Sequence, residues 1–172
     1  ILREYILKND LNKSTVPEFA WKMIWAYPED EALAGTSQNR EKMLTNFGSA
    51  YGMYEKIVDT AENVFLKNYN YTYFMPNGTT MQNARVYLEE TDLYRDYAHA
   101  SDFGRLMIAY SWYCVFTGSD IEDLTITSVP NALRYYTADR NTGNNYTLTA
   151  EQKSILVTSI KNALANPFEV TE

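Results

Sequence analysis

An α/β fold organised around a parallel sheet is what this sequence predicts, and three features predict it. Two short aromatic-rich runs read as strands: residues 19–27, with the continuous apolarity of a strand buried on both faces, and residues 71–75, ended by a Pro-Asn-Gly turn. A long stretch of helical periodicity separates them, so the order reads helix, strand, helix, strand, the pattern of βαβ units. Two strands fall short of the five or so of a doubly wound sheet, so the remaining strands are expected upstream of Ile1 or on another polypeptide.

The elements follow in order. Leu2, Tyr5, Ile6 and Leu11 sit at helical spacing and read as the last turns of a helix closing before a linker at residues 12–17. The chain opens Ile-Leu-Arg-Glu-Tyr, already inside that helix, which reads as a cut within a longer protein. Residues 19–27 form the core strand, and Pro28 stops it. The polar loop at 29–39 includes Glu29-Asp30-Glu31, read as a solvated acidic run and not a metal site, since no histidine or fourth ligand accompanies it.

Met43, Leu44, Phe47, Tyr51, Tyr54, Ile57, Val58 and Val64 place one long helix over residues 41–67, kinked near Gly48 or Gly52. The second strand ends in Pro76-Asn77-Gly78, turn chemistry that supplies a positive φ at Gly78. A helix over 78–88 follows, then a polar stretch from 89 to 99. Ser101 caps a strongly periodic helix through Phe103, Leu106, Met107, Tyr110, Cys114 and Val115, which Thr117-Gly118 ends. Residues 129–136 read as helical from Pro130 in the first turn, and residues 139–146 as an Asn- and Gly-rich loop. Thr149 and Gln152 have capping-box spacing and open a last helix to about Ala165.

Composition narrows the function. The chain is 45% hydrophobic and 15% aromatic, with ample apolar surface to offset ordering entropy. Its net charge of −7 and the lack of any basic stripe argue against nucleic acid. No run approaches a membrane span. Cys114, the one cysteine, lies in an apolar run and reads as a small core residue, which leaves the redox compartment open.

The residues that can carry chemistry are Asp96 and His99. His99 is the only histidine, three residues after Asp96 in a polar loop that feeds a helix. A serine hydrolase needs an imidazole to take the hydroxyl proton and an acceptor on the other ring nitrogen to fix the tautomer. An Asp at this spacing on a bent loop can supply that acceptor. Spacing alone is a weak motif, because acidic residues are common enough to fall there by chance. Ser37, Ser49 and Ser101 lie near Gly or His, but none sits on a strand-to-helix turn where a nucleophile is presented.

The surrounding residues add a resemblance. Arg95-Asp96-Tyr97-Ala98-His99-Ala100-Ser101, then Gly104-Arg105 and an aromatic-rich helix ending Thr117-Gly118, resembles the last conserved block of the SGNH (GDSL-like) hydrolase superfamily. There an Asp-x-x-His pair precedes the final helix. It is most similar to an uncharacterised, secreted branch with the pattern Arg-Asp-Gly-x-His-Leu-Ser. Trp25-Ala26-Tyr27 resembles that branch's segment after a strand, and Pro76-Asn77-Gly78 with Gln82-Asn83-Ala84-Arg85 its Pro-x-Gly and following helix. The chain departs from the pattern at Tyr97, where Gly is usual, and at Ala100, where Leu is usual, so the loop is expected to be stiffer or differently shaped. No Gly-Asp-Ser nucleophile block and no Gly or Asn oxyanion block occurs in these residues.

The resemblance implies a three-layer α/β/α flavodoxin-like domain whose first strands lie outside the chain. Residues 1–118 would be its C-terminal portion, and residues 119–172 a helical extension packed on it. It implies an ester hydrolase without cofactor or metal, Asp96 orienting His99 as the base, with a small-molecule or carbohydrate ester as substrate, the missing N-terminal segment as partner and a secreted or periplasmic location. By itself the chain would be inactive. The alternative is a non-catalytic glycan-binding or scaffold protein that uses exposed Tyr and Trp, although helix or strand spacing reads Trp21, Trp25 and Trp112 as core. Four Asn-x-Ser/Thr triplets, at Asn12, Asn70, Asn77 and Asn145, match the glycosylation acceptor pattern, which is short enough to recur by chance.

Overall fold

The computed structural model describes residues 2–9, 17–34, 38–126, 128–129 and 146–171. In chain order the elements are α1 (Leu2–Lys8), β1 (Ala20–Lys22), α2 (Glu31–Ala34), α3 (Asn39–Phe47) and α4 (Ala50–Thr60), which a π-helical turn continues over Ala61–Leu66. Then come β2 (Tyr73–Met75), α5 (Asn77–Ala84), α6 (Glu90–Leu93), α7 (Asp102–Thr117), a 3-10 turn at Ile121–Asp123, β3 (Ser128–Val129), β4 (Tyr146–Thr147) and α8 (Ala150–Ala165). The fold is mixed α/β and mostly helical.

β1 and β2 pair in parallel, Ala20 opposite Tyr73 and Lys22 opposite Met75. Side chains of helices pack on both faces of β2. Adjacent strand residues point to opposite faces: Tyr73 meets Phe116 of α7 edge-on, with ring centroids 5.0 Å apart, while Phe74 packs against a cluster of Met23, Met43, Met53 and Tyr54. β1 is nevertheless shorter than the run at 19–27 suggests, and it is not buried on both faces. Half-buried Trp21 is flanked by exposed Ala20 and Lys22. The reason is that Met23 makes the last bond to β2, its N–H reaching the Met75 carbonyl at 3.0 Å. Past it, Trp25 and Ala26 bond to the loop around Ala98 instead.

No described strand pairs with the other edge of β1. The Phe19 carbonyl accepts from Thr72 N–H and the Met23 N–H donates to Met75, so both backbones face β2. By alternation, Ala20 and Lys22 turn their backbone groups the other way, and no described strand pairs with them. Beside this edge lies a groove of about 480 Å³ lined by Trp21, Ile24, Phe47, Met53, Ile57 and Phe65. Ile24 is 52% exposed there.

The single helix expected over residues 41–67 is two helices. Gly48 adopts φ +76° and closes α3, with its N–H on the Leu44 carbonyl, and Ser49 restarts the chain as the N-cap of α4, accepting from Gly52 N–H at 2.9 Å. Gly78 does not take a positive φ; among the described residues Gly48 and Gly118 do. Gly78 lies in the first turn of α5, where a Cβ would collide with the Ile24 carbonyl. What position 78 requires is close approach, not a turn. α5 stops at Ala84, short of residue 88, and the polar stretch beyond it contains α6.

The main core forms where α5, α7 and α8 meet. Met81, Met107, Leu156 and Ile160 are fully buried in it, together with Leu93, Phe103, Leu106 and Ile121. Burying each such side chain stabilises by about 1.5–3 kcal/mol. The Ser101 cap of α7, the left-handed Gly118 that ends it and the Thr149–Gln152 capping box of α8 appear as the sequence indicates. Val129 is in β3, paired antiparallel with Tyr146, and not in a helix. The helix expected over 130–136, the loop at 139–145 and the linker at 12–16 lie outside the described residues. Among the described residues no helix is long and apolar enough to cross a membrane.

Candidate functional site

The loop from Arg95 to His99 is closed at its base by backbone bonds. Tyr94 and Ala100 form an antiparallel bridge. Arg95 N–H donates to the His99 carbonyl at 3.0 Å, and Ser101 N–H to the Leu93 carbonyl at 2.8 Å. Within the arch, Asp96 folds over its own chain, as Asp does in turns. Its Oδ1 accepts from Ala98 N–H at 3.0 Å and from His99 N–H at 2.9 Å. The His99 ring completes the set: Nδ1 lies 2.9 Å from Oδ1 and 3.0 Å from Oδ2. The structure thus brings Asp96 and His99 together.

Electrostatics fix the roles. Burial pushes the Asp96 carboxyl up, but the Ala98 and His99 N–H groups and the imidazole outweigh it and bring the group down to about 2. The Arg95 Nε, 3.3 Å from Oδ2, adds positive charge on the other side. Asp96 is therefore an anion throughout the physiological range and acts as an acceptor. A neutral His99 donates Nδ1–H to it and carries the lone pair on Nε2. The imidazole side chain is 60% exposed, and among the described residues its Nε2 has no hydrogen-bond partner.

Residues far away in sequence hold this loop. Trp25, just beyond β1, donates its indole N–H to the Ala98 carbonyl at 3.0 Å. The buried Tyr94 hydroxyl donates to the Ala26 carbonyl at 2.9 Å; burial pushes this phenol up to about 12, although Arg85 over its ring pulls the other way. Tyr97 meets Tyr27 edge-on at 6.1 Å. Behind them, Glu90 accepts from the Glu29 and Asp30 N–H groups, both at 2.7 Å, and pairs with Arg85.

The acidic run at 29–31 is thus partly structural and not a solvated loop. Glu29 and Asp30 are half-buried, and the Glu29 carboxylate accepts from Ala50 N–H at the start of α4. Sequence reasoning placed Trp25 in the core and passed over Glu90. No local pattern links Trp25 to Ala98, because 73 residues separate them.

The candidate serines have structural roles or lie out of view. Ser49 and Ser101 cap α4 and α7, with Ser101 accepting from Gly104 N–H at 3.0 Å. Ser37 lies outside the described residues. Cys114 is buried, and burial raises its thiol above the ordinary range. Asn77 is fully buried, with its side-chain oxygen on the Trp112 indole at 3.0 Å, so it cannot carry a glycan.

Fold and site together define a mixed α/β domain that presents an Asp–His pair on the loop ahead of a long buried helix. The chain belongs to the DUF4886 family, a domain of unknown function, whose model matches residues 1–135. A crystal structure of a DUF4886 family protein from Bacteroides uniformis is similar in fold, with a TM-score of 0.68 over 99% of this chain at 22% identity. The chain spans just over half of that protein, 56% of its length. Comparison with curated proteins finds no match.

Proposed function

We propose that Asp96 and His99 are the base half of a serine ester hydrolase of the SGNH type, with esters carried by carbohydrate as the substrate class to try first. The observation that carries this reading is the contact between His99 Nδ1 and the Asp96 carboxylate. Both Asp96 oxygens lie within 3.0 Å of Nδ1, which leaves Nε2, without a partner among the described residues, to act as the base.

In the reaction, a serine hydroxyl gives its proton to Nε2 as its oxygen bonds to the acyl carbon. The ester C–O bond then breaks, and the same proton passes to the departing alcohol. Water repeats the sequence to release the acid and free the serine. Asp96 stays ionised and stabilises the imidazolium. The serine and the oxyanion donors belong, in this reading, to polypeptide outside these 172 residues. The edge of β1 that pairs with no described strand supports that placement, since a parallel pair with such an edge is suited to receive further strands of a flavodoxin-like sheet. So does the greater length of the related structure.

The tryptophans give the glycan-binding alternative little support, although Tyr51, Tyr87 and Tyr113 are exposed. Trp21 stacks on Phe65 at 3.8 Å, and Trp112 and Trp25 are each tied by the indole to a neighbour, which is how structural rings behave.

Fluorophosphonate labelling of the intact protein, located by peptide mass, tests the proposal. A labelled serine outside residues 1–172, with labelling and ester hydrolysis down at least about a thousandfold in His99→Ala, is the expected result. Full activity in His99→Ala removes the assignment.

A further inference from the structure

We propose that Trp25 is a positioning residue for the Asp96–His99 pair, its indole fixing the peptide plane that aims the His99 backbone N–H at the Asp96 carboxylate. The inference rests on the pair being a catalytic base, yet its test does not require turnover.

The argument turns on one peptide unit. The plane joining Ala98 to His99 carries the Ala98 carbonyl on one side and the His99 N–H on the other, and in a trans peptide the two point in opposite directions. Trp25 holds the carbonyl at 3.0 Å, and Asp96 Oδ1 receives the N–H at 2.9 Å. Because the unit is rigid, the two bonds define the same rotation: drawing the oxygen toward Trp25 turns the hydrogen toward Asp96. A carbonyl that already accepts a bond also makes its own peptide N–H a better donor.

Trp25 can serve as a reference because it is itself fixed. Its ring is half-buried against the α5–α7–α8 core, with the Lys22 ammonium 5.6 Å from the ring centroid. The next residue is pinned through its carbonyl by the buried Tyr94 hydroxyl. Tyr27 also touches the loop, through Tyr97, but a ring edge contact carries no donor and leaves the peptide plane unspecified. The chain of dependence therefore runs from β1 through Trp25 to the Ala98–His99 plane, then to Asp96, and from Asp96 to the tautomer of His99.

His99 is the only histidine of the chain, so the nitrogen-15 shifts of labelled imidazole report its tautomer. Free imidazole favours the Nε2–H form, and only a partner such as Asp96 makes Nδ1–H the major one. In the wild-type protein the neutral imidazole should be mainly the Nδ1–H form. Trp25→Phe, which keeps an aromatic ring and loses the donor, should shift the ratio toward Nε2–H by roughly threefold or more, and the Asp96 carboxyl should titrate higher than in wild type. Should the phenylalanine variant fail to fold, benzothienylalanine at position 25 places sulfur where the indole N–H was with the shape retained, and the same shift is expected. An unchanged ratio and an unchanged Asp96 titration in either folded variant overturn the proposal. If both move as expected but the intact wild-type protein never hydrolyses an ester, Trp25 keeps its positioning role and the hydrolase reading falls.

Discussion

The loop that carries His99 and the edge of β1 that pairs with no described strand lie at the two ends of the same short segment, residues 20–27, and are finished in opposite ways. On the loop side the polar groups other than His99 Nε2 are engaged: Ala98 and Ala26 carbonyls with Trp25 and Tyr94, Asp96 with four donors, Glu90 with two backbone N–H groups and Arg85. At the β1 edge the backbone of Ala20 and Lys22 faces no described strand, and Ile24, Phe47 and Trp21 line an open groove. The contrast teaches that the local geometry of the Asp96–His99 pair is set by bonds among these residues, independently of what pairs with the other edge of β1. A nucleophile brought by other strands would meet a base already oriented.

Four substitutions sharpen or break that contrast, and all can be followed by chemical denaturation. The largest effect is expected in the core beneath the loop, where Met107→Ala should cost about 2–5 kcal/mol, because a fully buried side chain leaves a cavity. A loss under about 1 kcal/mol there would mean that the core is not packed as described. Tyr94→Phe should cost about 1–3 kcal/mol by stranding the buried Ala26 carbonyl. It should also broaden the His99 ring signals, which a purely packing role for Tyr94 would leave sharp.

Asp96→Asn is the third. Its folded-state value, about 2, lies below the ordinary 3.8. The ionised carboxylate therefore adds stability above about pH 4, and that contribution disappears as pH falls toward 2. The side chain is 37% exposed, so the contribution is below about 1 kcal/mol. The variant should lose this acid-range slope, and an identical pH dependence in wild type and variant would contradict the bonding set. The smallest change is expected at the edge: Ile24→Thr should stay within about 0.5 kcal/mol for residues 1–172. A clear loss in the intact protein would show the groove to be covered there.

How much of this was legible in the sequence depends on distance along the chain. The Asp96–His99 contact, the Ser101 cap, the Gly118 terminus and the Thr149–Gln152 box are all set by residues within a few positions of each other, where side-chain chemistry decides geometry without help from the rest of the fold. The parallel order of β1 and β2 was also legible, from their apolar character and the helix between them. Strand length was not. An aromatic run such as residues 19–27 looks the same whether it pairs with a strand or bonds to a loop 70 residues away, and Trp25 does the latter. Gly48 and Gly78 misled in complementary ways. Each is a glycine beside helix-forming residues, yet one is there for its backbone angle and the other because the Ile24 carbonyl occupies the place of a side chain.

That second glycine has a mechanical consequence. Ile24 immediately precedes Trp25, and Gly78 sits against its carbonyl, so the gap between α5 and the strand end works as a gauge narrower than one methyl group. Adding that methyl, as Gly78→Ala would, must lift residue 24 or tilt α5. A lift passes through a single covalent link to Trp25 and through one hydrogen bond to the Ala98–His99 peptide. The smallest side-chain increment available to evolution, placed 21 positions before His99 and touching no atom of it, is therefore geared to the orientation of its imidazole.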